Sequence, residues 1–241
     1  MCAASRSAPD PRGRASKRGR HRDRAREPLS IERIVDTAFE VMASDGYEAL
    51  TMRRLASQLG TGPASLYAHI DGKRDLDQLI VGRVSAQVQM PDPDPARWQE
   101  QVKKSLRDIR AVMARHPGVA RAAMANVPTG EESLGTAEGL MAILRAGGVA
   151  EQVAAWACDL LPLYVTAVAF EESLYRVNGM EGQEEVGRLH AYFAALPADR
   201  FPHLVASAVA LTTGGGDERF EFGLSVLVAG IAAMAAGGEP G

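Results

Sequence analysis

A chain of 241 residues that is 46% hydrophobic but only 5% aromatic can bury a sizeable core and favours helices over a sheet of β-branched and aromatic residues, so an all-α protein is expected. Its two cysteines, Cys2 and Cys158, are too few for a disulfide framework or a cysteine-built zinc site and fit a reducing cytoplasm. The formal net charge of −3 hides an asymmetry: residues 1–27 carry nine Arg or Lys against Asp10, Asp23 and Glu27, while the rest of the chain sums to −9.

The basic segment 1–27 holds Pro, Gly and Ser but almost no large apolar side chain. It cannot bury a core and is expected to be a disordered arm whose natural partner is a polyanion. No charged-then-apolar signal segment is found at its start, and a cytoplasmic location is expected. From Ser30, a capping residue, Ile31, Ile34, Val35, Ala38, Val41 and Met42 repeat with helical spacing, and the helix should end near Gly46. Thr51 caps a second, short helix with Met52, Leu55, Ala56 and Leu59 on one face and Gly60 as its stop. Pro63 suits the first position of a third helix, whose inward residues are Leu66 and Ile70. A fourth helix over 73–90, carrying Leu76, Leu79, Ile80 and Val84, leads out of this module.

The run Pro91-Asp-Pro-Asp-Pro95 is a stiff joint that cannot continue a helix. Beyond it helices are predicted at about 96–115, 118–126, 132–146, 149–177, 183–195, 203–212 and 218–236, separated by Gly and Pro breaks. The longest apolar runs, 153–170 and 222–236, are interrupted or short for a membrane span and read as buried helices or an oligomer interface. Three units are expected: the arm 1–27, a DNA-binding module 28–75, and a helical effector-binding and dimerisation domain 76–241.

Residues 51–70 have the grammar of a helix-turn-helix. Ala56 is small where two helices must cross closely, Gly60 can take the positive φ of the tight turn, and Leu66 pins the second helix to the first. With Leu66 and Ile70 inward, Ala64, Ser65 and Ala68 lie on the opposite face with Tyr67 on its shoulder, small enough to enter a major groove. Thr51, Ser65, Tyr67 and Lys73 are candidates for phosphate oxygens, and they would fix orientation without reading sequence. Arg53 can reach a guanine edge, whereas Pro63, Ala64 and Ala68 offer only apolar contact, for instance to thymine methyls. Thr61 and Gly62, in the turn, complete the candidate DNA face. His69 is either a phosphate contact when protonated or a locally packed side chain.

On these residues, and on Leu50-Thr-Met-Arg-Arg-Leu-Ala-Ser-Gln-Leu-Gly60 and Ser65-Leu-Tyr-Ala-His-Ile-Asp-Gly-Lys-Arg-Asp-Leu76, the segment of about 29–80 resembles the DNA-binding domain of the TetR family of repressors. Leu66, Tyr67, His69 and Lys73 match that family's recognition-helix core and the lysine after it. Trp98, Arg115-His-Pro117 and Phe220-Glu-Phe-Gly-Leu224 look like landmarks of the subgroup closest to the tetracycline repressor. The resemblance implies a homodimer held by a four-helix interface from about 149–177 and 218–236, where Ala229, Gly230, Ala232, Ala233 and Ala236 permit close approach. It also implies an inverted-repeat operator in double-stranded DNA, with recognition helices in successive major grooves. Where the tetracycline repressor holds a magnesium–drug complex with a histidine, the stretch Gly118-Val-Ala-Arg-Ala-Ala-Met124 has none, so neither a metal nor a cofactor is expected. Met113, Met124, Trp156, Leu160 and Tyr164 are candidates for the pocket of a small-molecule effector, or for plain core, and Pro162 would kink the helix beside it.

Two rival readings remain at this point. A helical enzyme finds little support: there is no His-Glu-x-x-His pair, phosphate-binding Gly-x-x-x-x-Gly-Lys-Ser loop or Gly-x-Ser-x-Gly elbow. The neighbouring carboxylates Glu171-Glu172 and Glu184-Glu185 point apart on helices, so no catalytic residue is expected. A non-specific nucleic-acid protein acting through the basic arm would bind with steep salt dependence and no site preference.

Overall fold

The first helix begins where the sequence supplies a cap: Ser30 Oγ accepts the Arg33 N–H at 3.3 Å. Helix α1 then runs Ile31–Asp45 with Ile34, Val35, Ala38, Val41 and Met42 buried. A computed structural model describes residues 28–125, 127, 129–177 and 183–237; the basic arm, Pro128 and the Asn178-Gly179 break lie outside them. After α1 comes a short 3-10 turn, Tyr47–Ala49. Helices α2 (Met52–Leu59), α3 (Pro63–Leu66) and α4 (Lys73–Ser85) complete the N-terminal part. There follow α5 (Trp98–Ala114), α6 (Val119–Met124), α7 (Glu131–Ala146), α8 (Glu151–Val177), α9 (Gln183–Ala194), α10 (Pro202–Ala206), α11 (Ala208–Thr212) and α12 (Gly216–Gly237). No strand occurs among the described residues, so the expected all-α class is the observed one.

Besides the recognition helix, which stops at Leu66, two elements differ from their expected extent. The helix predicted over 73–90 ends at Ser85, because the chain tightens through Gln87 N–H to Val84 O and Val88 N–H to Ser85 O before the prolines begin. The helix predicted over 203–212 is two short ones, broken at Ser207, and no Gly or Pro marks that break.

Packing divides the chain later than residue 75. Leu76, Ile80, Val81 and Val84 of α4 are buried in one core with α1, α2 and α3, and Val112, Val119 and Ala122 of the following segment join them. The second core gathers α5, α7, α8 and α12 around Trp98, Leu106, Leu144, Leu161, Phe220 and Leu224. Tyr164 of α8 stacks on Phe220 of α12 with ring centroids 5.7 Å apart, and its hydroxyl donates to Phe220 O at 3.1 Å. A Cβ on Gly223 would fall 2.2 Å from the Tyr164 oxygen, so this close helix contact requires a residue without a side chain.

Val88 packs against both cores, and polar contacts among the described residues tie the two parts together. The Gln78 amide of α4 donates to Val127 O at 2.6 Å and accepts from the Thr129 N–H at 2.9 Å. Ser85 and Ser133 hydroxyls lie 3.4 Å apart. Arg121 of α6 pairs with Glu48 in the 3-10 turn at 3.1 Å while lying over the Phe170 ring of α8 at 5.4 Å.

One helix, over Glu151–Arg176 within α8, is long and apolar enough to cross a membrane by length and composition, contrary to the reading of 153–170 as too interrupted. Its inward residues Val153, Ala154, Ala157, Leu161 and Val165 are nonetheless core, and 39% of that window is buried inside the protein. Cys158 on the same helix is half-buried, and burial pushes its thiol up to about 11, so it is an inert side chain at neutral pH.

Candidate nucleic-acid interface

The turn between α2 and α3 is built by local chemistry. Thr51 Oγ1 accepts the Arg54 N–H at 3.1 Å and so caps α2. Gly60 takes the left-handed conformation at φ 68, and the Thr61 N–H closes back on Ala56 O at 3.0 Å. Gly62 is extended and Pro63 occupies the first helical position, where no N–H is missed. The α-helical part of the recognition segment is only Pro63–Leu66; the chain continues as a tighter turn in which the His69 and Ile70 N–H groups both donate to Leu66 O.

Leu66 and Ile70 are buried, 0% and 2% exposed, under that turn. Pro63, Ala64, Ser65, Tyr67, Ala68 and His69 are all exposed on its other side, and Tyr67 keeps 53% of its surface. Arg53, Thr61, Pro63 and Tyr67, with Met52, Ala56 and Ser57, line a groove of about 490 Å³ between α2 and α3. The structure thus brings Arg53 and the recognition turn together on one open surface. Adjacent arginines divide the work: Arg54 is engaged by Asp45 at 2.7 Å and braces α2 on α1, whereas Arg53 has no partner among the described residues. Thr51 is exposed at the same end, and since its oxygen only accepts in the cap, its O–H is left to donate outward.

Lys73, a candidate for phosphate, is engaged within the protein. Its ammonium is hydrogen-bonded to Asp77, a carboxylate only 3% exposed, and lies 3.9 Å from the centroid of the Tyr47 ring. The Tyr47 hydroxyl donates to the other Asp77 oxygen at 3.0 Å, and burial together with that carboxylate raises the phenol's pKa. Arg74, next in sequence, is exposed and without a partner among the described residues. Its place in the first turn of α4 is the signal the sequence offers for it.

The five effector candidates do not share one environment. Met113 and Tyr164 pack against the second core, whereas Met124, Trp156 and Leu160 are 46%, 60% and 45% exposed. Trp156 and Leu160 face outward because the inward positions of α8 are already taken by Val153, Ala157 and Leu161. With Leu163, 52% exposed, they make an apolar stripe at helical spacing on α8, and Phe222 and Val226, 74% and 53% exposed, make another on α12.

Comparison with known proteins places both halves. Residues 34–77 match the model of bacterial regulatory proteins of the tetR family, and residues 90–235 match the tetracyclin repressor-like C-terminal domain. ActR of Streptomyces coelicolor, solved in complex with actinorhodin, superposes with a TM-score of 0.78 at 41% identity, covering 87% of this chain and 99% of that one. An HTH-type transcriptional regulator of Saccharopolyspora erythraea is 30% identical over 88% of each chain. The HTH-type transcriptional repressor DrrR1 of Streptomyces coeruleorubidus is 28% identical over 90% of this chain and 83% of its own. An exposed recognition turn on a capped helix pair, followed by a matching helical domain, means that the chain belongs to the TetR family, whose members are DNA-binding transcriptional regulators and not enzymes.

Proposed function

We propose that this protein is a ligand-released repressor that binds an inverted-repeat operator as a homodimer. The observation that carries the reading is the recognition turn: buried Leu66 and Ile70 hold Ala64, Ser65, Tyr67 and Ala68 outward beside Arg53, which has no partner among the described residues. Tyr67, Ser65 and Thr51 donate to phosphate oxygens, Arg53 reads a guanine edge, and Pro63, Ala64 and Ala68 give apolar contact to thymine methyls. Thr61 and Gly62 bring the backbone close, and His69 stands at the edge of the same surface. The exposed stripes of α8 and α12 are covered by the same stripes of a second copy, which sets two recognition turns on one side of a duplex.

A small molecule is the natural effector, as the relative ActR is solved with actinorhodin and with (S)-DNPA. It acts by binding better to the conformation that cannot span two grooves, with a coupling of about 1–3 kcal/mol. Contacts through Gln78, Val88 and Arg121 are the physical route from the helical domain to the reader. The effector site holds no metal in this reading, and the protein works in the cytoplasm. The test is operator binding by fluorescence anisotropy: a Tyr67→Ala, Arg53→Ala variant loses site preference while keeping its thermal stability. A variant that loses nothing refutes the assignment. The rival reading rests on the surplus of positive charge in residues 1–27. Deleting them leaves site preference intact and lowers affinity and salt slope if the arm is auxiliary, and abolishes binding if the arm is the whole interface.

A further inference from the structure

The first turn of α4 carries two adjacent cations, and the structure treats them oppositely. The Lys73 side chain, 33% exposed, gives its ammonium to Asp77, whose side chain is 4% exposed. Tyr47 completes the enclosure, its hydroxyl 3.0 Å from Asp77 and its ring 3.9 Å below the Lys73 nitrogen. Moving that ammonium out to a phosphate would leave a buried carboxylate with a phenol as its sole remaining partner among the described residues, a strongly unfavourable exchange. A lysine already neutralised by a carboxylate also displaces few counterions when DNA arrives, so even a nearby phosphate gains little from it. Arg74 has no such commitment: it is exposed, without a partner among the described residues, and presents a planar fork suited to phosphate.

We propose that Asp77 withholds Lys73 from the operator backbone and that Arg74 supplies the phosphate contact at the start of α4. Asp77 is then a positioning residue that sets operator affinity without touching DNA. Lys73 staples the 3-10 turn Tyr47–Ala49 to α4. The staple also meets the helical domain: a Cβ on Gly118, at the start of α6, would stand 3.2 Å from Tyr47 Cβ, so α6 rests directly on the residue that closes the Lys73 enclosure. The inference rests on the DNA-binding reading above.

The experiment is the dependence of log Kd on log salt concentration, measured by anisotropy with a duplex that the intact wild-type chain enriches from genomic fragments. Each phosphate contact contributes about 0.9 to the slope, hence about 1.8 for two half-sites. Arg74→Gln is expected to lower the slope by about 1.8. Lys73→Met strands a buried carboxylate, so the charge-free pair Lys73→Met with Asp77→Asn is measured beside it and is expected to keep the wild-type slope. Asp77→Asn alone frees the lysine: the slope steepens by about 1.8 and operator binding tightens, and adding Lys73→Met cancels both changes. The proposal is overturned if the charge-free pair loses about 1.8 of slope, if Arg74→Gln loses none, or if a folded Asp77→Asn protein keeps the wild-type slope. Should Asp77→Asn fail to fold by circular dichroism, the charge-free pair and Arg74→Gln decide the matter. If the wild type enriches no discrete site, the DNA-binding reading is what has failed. The slopes of the same variants on a mixed-sequence duplex then still test where the phosphate contact lies.

Discussion

Phe222 is the most informative residue to remove from the outward stripe of α12. It keeps 74% of its surface exposed in the single chain, an unusual position for a phenylalanine unless another surface covers it. Fully burying a large apolar side chain stabilises by about 1.5–3 kcal/mol, so covering the exposed three quarters of this one is worth about 1–2 kcal/mol. A two-fold interface counts the residue twice, and Phe222→Ala should therefore weaken the dimer by about 2–4 kcal/mol, roughly 30- to 1,000-fold in its dissociation constant. Sedimentation with a fluorescent label across a wide concentration range reads that constant directly. Ile31→Ala is the control, since Ile31 is also exposed, at 41%, but on α1 of the reader; it should leave dimerisation unchanged. A change under about threefold for Phe222→Ala, or an equal change for the control, would refute the assignment of this stripe to the dimer.

Other outcomes separate scaffold from contact. Leu66→Ala removes the fully buried pin of the recognition turn and should cost about 2–5 kcal/mol of stability, read as a lowered Tm. Tyr67→Ala, at an exposed position, should leave Tm within a few degrees while weakening operator binding, and equal effects in the two variants would sink the distinction. Gly118 sits at φ 87 with Met42 Sδ and Tyr47 Cβ both 3.2 Å from the place of a Cβ. Gly118→Ala should therefore destabilise by about 1–3 kcal/mol and shift the two domains' docking, and a variant with unaltered Tm and unaltered effector response would show that α6 does not bear on the reader. His116, its ring tilted against Phe39 with centroids 5.2 Å apart and bonded to Gln87 at the same junction, has its pKa lowered by burial and then by Arg115. The unfolded chain thus binds more protons than the folded one just below the ordinary histidine value, so stability falls as pH drops through about 6.5. Replacing His116 by Gln should flatten Tm between pH 7.5 and 5.5, above the range in which Glu32 and Glu221, held low by hydrogen bonds, begin to protonate. An unchanged slope in that window would count against the histidine.

How much of this was legible in the sequence depended on distance along the chain. The helix-turn-helix was readable because its determinants, Leu55, Ala56, Leu59, Gly60, Leu66 and Ile70, lie within sixteen residues of one another and each acts through local geometry. The arrangement around Asp77 was not readable: Gly46 marks the end of α1, but nothing local shows that the 3-10 turn after it brings Tyr47 to a carboxylate thirty residues on. The engagement of Lys73 by Asp77 therefore does not show in the sequence. On α8 the apolar residues run round the whole helix, so periodicity could not tell Leu161, which is core, from Trp156 and Leu160, which are outward. Choosing among pocket, core and partner surface there required knowing which neighbours had filled the inward side. Likewise no Gly or Pro marks the break at Ser207 between α10 and α11.

The central claim is that the surface formed by Arg53 and the recognition turn selects particular DNA. Its most direct test is recovery of genomic fragments by the purified full chain at near-physiological salt, beside the Arg53→Ala, Tyr67→Ala variant. A discrete inverted repeat with half-sites about one helical turn apart, recovered by the wild type and lost by the variant, is the predicted result. Recovery of the same featureless, salt-sensitive DNA by both proteins would contradict it and leave only the electrostatics of the basic arm.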